Sequence, residues 1–92
     1  MVDPGIMAKL TTVLRDVFDD DQVTATPGLT AQQVKGWDSL GNVRLFVEIE
    51  RAFGVRFGAA EIGSLHDVGE LAALIAVKIR DRSQVHPHGG SA

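Results

Sequence analysis

The 92-residue chain contains no cysteine and no tyrosine, and only 5% of its residues are aromatic. Without cysteine it forms no disulfide, so any thiol chemistry has to come from a group added to the protein. The low aromatic content disfavours a packed β-sandwich and favours helices. The hydrophobic fraction of 45% is that of an ordinary globular domain. A chain of this length buries a single core, which excludes a large, self-contained active-site cleft.

Positive charge is also scarce, because nine lysines and arginines are outnumbered by twelve acidic residues, giving a net charge of −3. The lack of a basic surface disfavours binding to nucleic acids. No apolar run is long enough to cross a membrane, and the N-terminal MVDPGIMAKL has neither a basic leader nor a long apolar segment. We therefore expect no membrane insertion and a cytoplasmic location.

Apolar residues recur at spacings of three and four, which predicts one helix over residues 4–18 and a second that begins at Asp38 or Ser39 and ends near Phe53. A short third helix is expected at 59–62. The pair Ser64 and Asp67 has the form of a capping box, which predicts that the last helix starts there and ends near Arg80.

A connection of nearly twenty residues separates the first two helices, which is long for a small domain. Thr30 and Gln33 have capping-box spacing, so residues 31–34 are predicted to form one turn, ended by Gly36. The loop's expected anchors to the core are Leu29, Val34 and Trp37.

The second helix carries two apolar arcs at about 100° per residue. One arc contains Leu45, Phe46, Ile49, Ala52 and Phe53, and the other contains Leu40, Val43 and Val47. One arc is enough for a core. The second arc means either that the helix lies between other helices or that it presents an apolar stripe to a partner.

The motif GWDSL, residues 36–40, stands where the long loop meets the second helix. A serine at a helix start lies beside unpaired amides and the positive end of the dipole, where a phosphate is stabilised. Asp38 can cap the same amides and help to hold a magnesium ion during phosphoryl-type transfer. An Asp-Ser pair taken alone is most often only a helix start.

The wider stretch GWDSLGNVRLFVEIERAFGVRF, residues 36–57, resembles the acyl carrier protein family, whose members bear a phosphopantetheine arm on the serine of an Asp-Ser-Leu motif. Weaker similarity continues through IGSLHDVGELAALI. The resemblance implies an all-α fold: a small antiparallel four-helix bundle with a long first loop and a short third helix. We expect a carrier domain over residues 1–82 and a disordered C-terminal tail over residues 83–92.

The resemblance also implies that Ser39 is modified by a phosphopantetheinyl transferase, which uses coenzyme A and magnesium, with Asp38 assisting. The arm's thiol would hold acyl intermediates as thioesters for ligases, synthases or acyltransferases of fatty acid, lipid or polyketide-type biosynthesis. The chain itself would be a monomeric, non-catalytic carrier without a stable metal. Partners would dock on Leu40, Val43, Val47 and Glu48. An acyl chain would enter between helices at Phe46, Ile49, Ile62 and Leu71.

The second helix departs from the carriers of bacterial fatty acid synthesis, which usually have an acidic residue after the Leu and a strongly acidic second helix. Here Gly41 and Asn42 follow Leu40, and Arg44 stands among the acids, so that residues 38–53 carry a net charge of only −1. We therefore predict a specialised carrier with different partner recognition. Gly41 is also expected to loosen the first turn.

Three alternatives remain open. In the first, the chain is an aminoacyl or peptidyl carrier or an excised synthase domain, although Met1 and a short polar tail favour a stand-alone protein. A hydrolase with Ser39 and His66 is disfavoured because the Gly-x-Ser-x-Gly turn is missing. An unmodified helical adaptor would bind partners through the Leu40, Val43 and Val47 stripe. His86 and His88, without further ligands, make a poor metal site.

Overall fold

The computed structural model describes residues 3–84. They form four helices, α1 (Pro4–Phe18), α2 (Ser39–Phe53), α3 (Ala59–Ser64) and α4 (Val68–Gln84). A 3₁₀ turn at Ala31–Gln33 interrupts the loop between α1 and α2, and these residues contain no strand. The predicted all-α bundle with a long first loop and a short third helix is confirmed.

The first helix is bounded by local signals. The Asp3 carboxylate accepts hydrogen bonds from the amides of Gly5, at 2.7 Å, and Ile6, at 3.4 Å. Pro4 stands at the first helical position, where its missing N–H costs nothing. The helix ends at Asp19, which adopts the left-handed conformation with φ of 51°.

The core lies where α1, α2 and α4 meet, and it also takes in apolar residues of the first loop. Its fully buried large side chains are Leu10, Leu14, Leu45, Ile49, Val68 and Ile75. Val34 of the loop is 4% exposed, while Leu29 and Trp37 are partly buried against the same core. The three predicted loop anchors are thereby confirmed.

The predicted start of the last helix was wrong. Ser64 ends α3, and its hydroxyl donates to the Glu61 carbonyl at 3.0 Å. The capping pair is instead Asp67 and Glu70. The Asp67 carboxylate accepts a hydrogen bond from the Glu70 amide at 2.9 Å. The Glu70 carboxylate in turn accepts one from the His66 amide at 2.7 Å.

The first loop determines this start. The amides of Val68 and Gly69 donate to the carbonyls of Leu29 and Pro27, each at 2.9 Å. Two of the N–H groups that a helix start leaves free are thus satisfied by a distant segment. A local sequence pattern does not contain that information.

The last helix also continues past Arg80 to Gln84, so residues 83 and 84 of the predicted tail are helical. The Arg82 guanidinium donates to the carbonyls of Phe53, at 2.9 Å, and Gly54, at 2.6 Å, at the C-terminal end of α2. Residues 85–92 of the predicted disordered tail lie outside the described residues. Between residues 3 and 84, no helix is both long and apolar enough to cross a bilayer.

Candidate functional site

Ser39 is the first residue of α2, and Asp38 is its N-cap. The Asp38 carboxylate accepts a hydrogen bond from the Gly41 amide at 2.8 Å. Ser39 is exposed, and no other group in residues 3–84 forms a hydrogen bond with its hydroxyl. The amides of Ser39 and Leu40 are likewise without partners in this part of the chain. A free hydroxyl thus stands beside free N–H groups.

Trp37 fixes the segment that precedes this serine. Its indole N–H donates to the Asn42 side-chain oxygen at 2.9 Å, which ties the loop to α2. Its ring stacks on Phe18 of α1, with ring centroids 5.7 Å apart and planes 24° from parallel. The prediction that Trp37 anchors the loop is confirmed, and the position of Ser39 is set by contacts with both helices.

Gly41 packs against the same junction on its buried side. It is buried, and a Cβ on it would overlap the Gly36 carbonyl oxygen and stand 2.9 Å from the Phe18 ring. The sequence-based expectation that Gly41 loosens the first turn was based on helix propensity alone and did not include packing. In the structure the missing side chain lets the loop pack directly onto that turn.

The second apolar arc of α2 faces outward, which decides between the two alternatives. Leu40, Val43 and Val47 are 70%, 60% and 47% exposed. Val43 and Val47 line one wall of an open groove of about 690 Å³ between α1 and α2. Glu48 lines the same wall and pairs with Arg51 at 3.3 Å. The stripe is available to a partner.

Three of the four residues predicted to hold an acyl chain come together on the other side of α2. Phe46, Ile62 and Leu71 line a pocket of about 110 Å³. The fourth, Ile49, is fully buried in the core and does not line this pocket. The remaining lining residues include the apolar Ala31, Trp37 and Leu65 and the polar Asn42, His66 and Asp67.

No family model matches the sequence. The acyl carrier protein MbtL of Mycobacterium tuberculosis is 34% identical over 76 residues, which cover 83% of this chain and 90% of that protein. MbtL of Mycobacterium bovis gives the same values. This chain belongs to the acyl carrier protein family. The solution structure of the holo acyl carrier protein from Geobacter metallireducens agrees, with a TM-score of 0.82, 34% identity, and coverage of 90% of this chain and 95% of that one.

The geometry of this acyl carrier protein gives no support to the hydrolase alternative. His66 lies just before α4, not in its first turn as expected, and it is exposed. Its Nδ1 atom lies 3.2 Å from the Glu70 carboxylate. Because the Ser39 hydroxyl has no hydrogen-bond partner among residues 3–84, no base activates it within that range. The same residues bring together no group of three potential metal ligands.

Several residues around the carrier's serine were not predicted from the sequence. Phe18 was expected only as the last residue of the first helix, yet its ring stacks on Trp37 and lies against Gly41. Lys9, Val13 and Asp16 of α1 form the wall opposite the exposed stripe. These contacts join residues more than fifteen positions apart, so no local signal in the sequence reveals them.

Proposed function

We propose that this acyl carrier protein holds acyl intermediates on a 4′-phosphopantetheine arm attached covalently to Ser39. The observation that carries the proposal is the exposed, unpartnered Ser39 hydroxyl at the first position of α2, in a chain of this family. When bound, the arm supplies the thiol that forms the thioesters. The chain has no cysteine and therefore no thiol of its own.

The residues around Ser39 fit a phosphodiester. The free amides of Ser39 and Leu40, at the positive end of the helix dipole, stabilise a negative charge attached to the hydroxyl. Asp38 is occupied with the Gly41 amide through one carboxylate oxygen, so it holds the first turn in place. Its exposed position also leaves it accessible to a magnesium ion brought by a phosphopantetheinyl transferase.

Partner enzymes would meet the carrier on the exposed stripe of Leu40, Val43 and Val47, together with Glu48. Besides the transferase, the expected partners are acyl ligases, synthases or acyltransferases of fatty acid, lipid or polyketide-type biosynthesis. The presence of Gly41, Asn42 and Arg44 along α2 supports a specialised pathway over general fatty acid synthesis. An acyl chain would fold back into the pocket of Phe46, Ile62 and Leu71.

The test is intact-protein mass spectrometry of the full chain before and after incubation with coenzyme A, magnesium and a broad-specificity phosphopantetheinyl transferase. We expect a mass gain of one phosphopantetheine on the wild type. Ser39→Ala should show no gain, because the attacking hydroxyl is gone. Ser64→Ala is the matched control: Ser64 is also an exposed serine, but it ends α3, so its loss should leave the modification unchanged.

An unmodified helical adaptor gives the opposite pattern. In that case the wild type gains no mass under conditions in which the same transferase modifies another carrier, and Ser39→Ala binds partners as the wild type does. A mass gain that survives in Ser39→Ala would also contradict the proposal, since it would place the modification on another residue.

A further inference from the structure

The groove between α1 and α2 carries a fixed cation near each end. Near the Ser39 end, the Arg44 guanidinium donates to the Val17 carbonyl at 2.9 Å. Near the other end, the Lys9 ammonium lies over the Phe53 ring, 5.2 Å from its centroid. Throughout residues 3–84, neither cation pairs with a carboxylate. Both charges are therefore held in position and remain available to a partner.

The groove between these cations has an apolar strip along it. The apolar part of its lining consists of Val13 and Val17 of α1 and of Val43, Val47 and Ala52 of α2, and polar and charged residues complete the walls. The exposed Val43 and Val47 are unusual for a small monomer, in which large apolar side chains on one stripe mark an interaction surface.

The charge of the groove is opposite in sign to that of the chain. Three cations, Lys9, Arg44 and Arg51, and two acids, Asp16 and Glu48, line it, which leaves a net charge of +1 on a chain of net charge −3. Glu48 is already paired with Arg51 at 3.3 Å. The groove thus favours carboxylates on whatever it binds.

We propose that this groove binds an amphipathic helix of a partner protein, whose apolar face lies on Val43 and Val47 and whose carboxylates pair with Arg44 and Lys9. Arg44 is hydrogen-bonded to Val17, and Lys9 lies over Phe53. Because Arg44 and Phe53 are nine positions apart on α2, their spacing along the helix approximates that of the two cations. At 1.5 Å per residue this separation is about 14 Å, or two and a half turns of a partner helix. The inference rests on the proposed function, because one wall of the groove is the helix that begins at Ser39.

This pairing is the reverse of the one expected for the carriers of bacterial fatty acid synthesis, whose second helix is strongly acidic. Here the carrier supplies the cations and the partner supplies the acids. The proposal also gives a role to Arg44, since Arg51, the other cation of α2, is already paired with Glu48 at 3.3 Å.

The probe is a pair of synthetic helical peptides with the same apolar ridge, one with glutamates and the other with lysines at the two ends. Each is titrated into the ¹⁵N-labelled full chain and followed by NMR. We expect the glutamate peptide to bind roughly tenfold more tightly, with shifts concentrated at Val13, Val43 and Val47. The difference should shrink as salt is raised, because both cations are at the surface.

Charge-reversal variants locate the contacts. Arg44→Glu and Lys9→Glu should each weaken binding of the glutamate peptide roughly fivefold, and the double variant should prefer the lysine peptide. Arg80→Glu is the matched control, since Arg80 is an exposed helical arginine on α4, outside the groove. Arg44→Glu removes both a charge and the hydrogen bond to Val17, whereas Lys9→Glu leaves that hydrogen bond in place. Weaker binding by Lys9→Glu therefore reports the change of charge and not a local distortion.

Equal binding of the two peptides, binding of neither, or shifts away from the groove would overturn the inference. So would unchanged affinity in both groove variants. The mass gain at Ser39 is measured without either peptide. If Ser39 is modified but the chain binds both peptides equally, only the groove proposal is rejected. If the groove prefers the glutamate peptide but Ser39 gains no mass, only the proposed phosphopantetheine arm is rejected.

Discussion

Gly41 has opposite effects on its helix and on the loop that packs against it. A glycine inside a helix costs about 1 kcal/mol relative to alanine. The same absence of a side chain admits the Gly36 carbonyl and the Phe18 ring to the first turn of α2. Because the backbone carbonyl has little freedom to move away, we expect the packing effect to outweigh helix propensity.

Gly41→Ala should therefore destabilise the protein by about 1–3 kcal/mol, as overpacking does in a tight contact. Urea unfolding followed by circular dichroism measures the change. Gly63→Ala is the matched control, because Gly63 is also helical and a Cβ there would meet nothing within 4 Å. It should be neutral or stabilising by up to about 1 kcal/mol. An equal gain in stability from both substitutions would show that the Gly36 contact is unimportant.

The candidate site was predictable at those residues whose role depends on near neighbours in the sequence. Asp38 caps the turn that follows it, and Ser39 is free because it stands first in the helix. Trp37 was identifiable as an anchor because an apolar ring stood in a polar loop. The packing role of Gly41 was not predictable, since it depends on where Phe18 of another helix lies.

Helices α1 and α2 followed their sequence signals. The predicted bounds of α1 and α2 are confirmed, and Gly54 ends α2 in the left-handed conformation with φ of 67°. Around residues 64–70 two capping patterns overlap, Ser64 with Asp67 and Asp67 with Glu70. The choice between them depends on hydrogen bonds from α4 to the distant first loop, so the local sequence is insufficient.

One carboxylate ties the short α3 both to the residue before it and to α4. The Glu61 side chain accepts from the Gly58 amide at 2.8 Å and from the Lys78 ammonium of α4 at 2.9 Å. The Gly58 hydrogen bond and the Lys78 hydrogen bond keep the pKa of Glu61 below its ordinary value of 4.5. No residue of α3 is fully buried, so this tether matters more than it would in a longer helix.

We predict that α3 loosens in acid. A carboxyl whose pKa is lower in the folded state stabilises the fold above its ordinary value, and this contribution is lost as the pH falls through the lower, folded-state pKa. Hydrogen-exchange protection factors of the α3 amides should therefore fall once the pH drops below 4.5. Glu61→Gln should reduce the same protection at neutral pH and make it insensitive to acid.

Glu48→Gln is the control for this experiment. Glu48 also forms an ion pair, but with Arg51 on its own helix, so its neutralisation should leave α3 protection unchanged. Wild-type protection that does not change with pH, or an equal effect from both substitutions, would contradict the tether.

The two faces of α2 border different cavities. Val43 and Val47 face the groove with α1, while Phe46 faces the pocket formed with α3 and α4. Ser39 stands at the end of α2 between them. In the proposed function, this one helix presents the arm to a partner on one face and shelters the cargo on the other.

For the proposed acyl cargo, the size of the pocket sets how long a chain it can hold without a change of fold. A volume of about 110 Å³ has room for about three or four groups the size of a water molecule, at about 30 Å³ each. Phe46 and Leu71 are held in the core, at 5% and 2% exposure, whereas α3 has no fully buried residue. A longer chain should therefore displace α3 and leave α2 and α4 in place.

We expect both butyryl and octanoyl thioesters on the Ser39 arm to shift the methyl resonances of Ile62 and Leu71 relative to the unacylated holo protein. Only the octanoyl form should lower the hydrogen-exchange protection of α3, because only that chain exceeds the pocket. The methyl groups of Val77, which is 40% exposed on α4 and does not line the pocket, serve as the internal control. Unshifted Ile62 and Leu71 resonances in both forms would mean that the cargo stays outside the bundle. Equal loss of α3 protection with both chains would mean that the pocket opens for any cargo, in which case its resting volume does not select chain length.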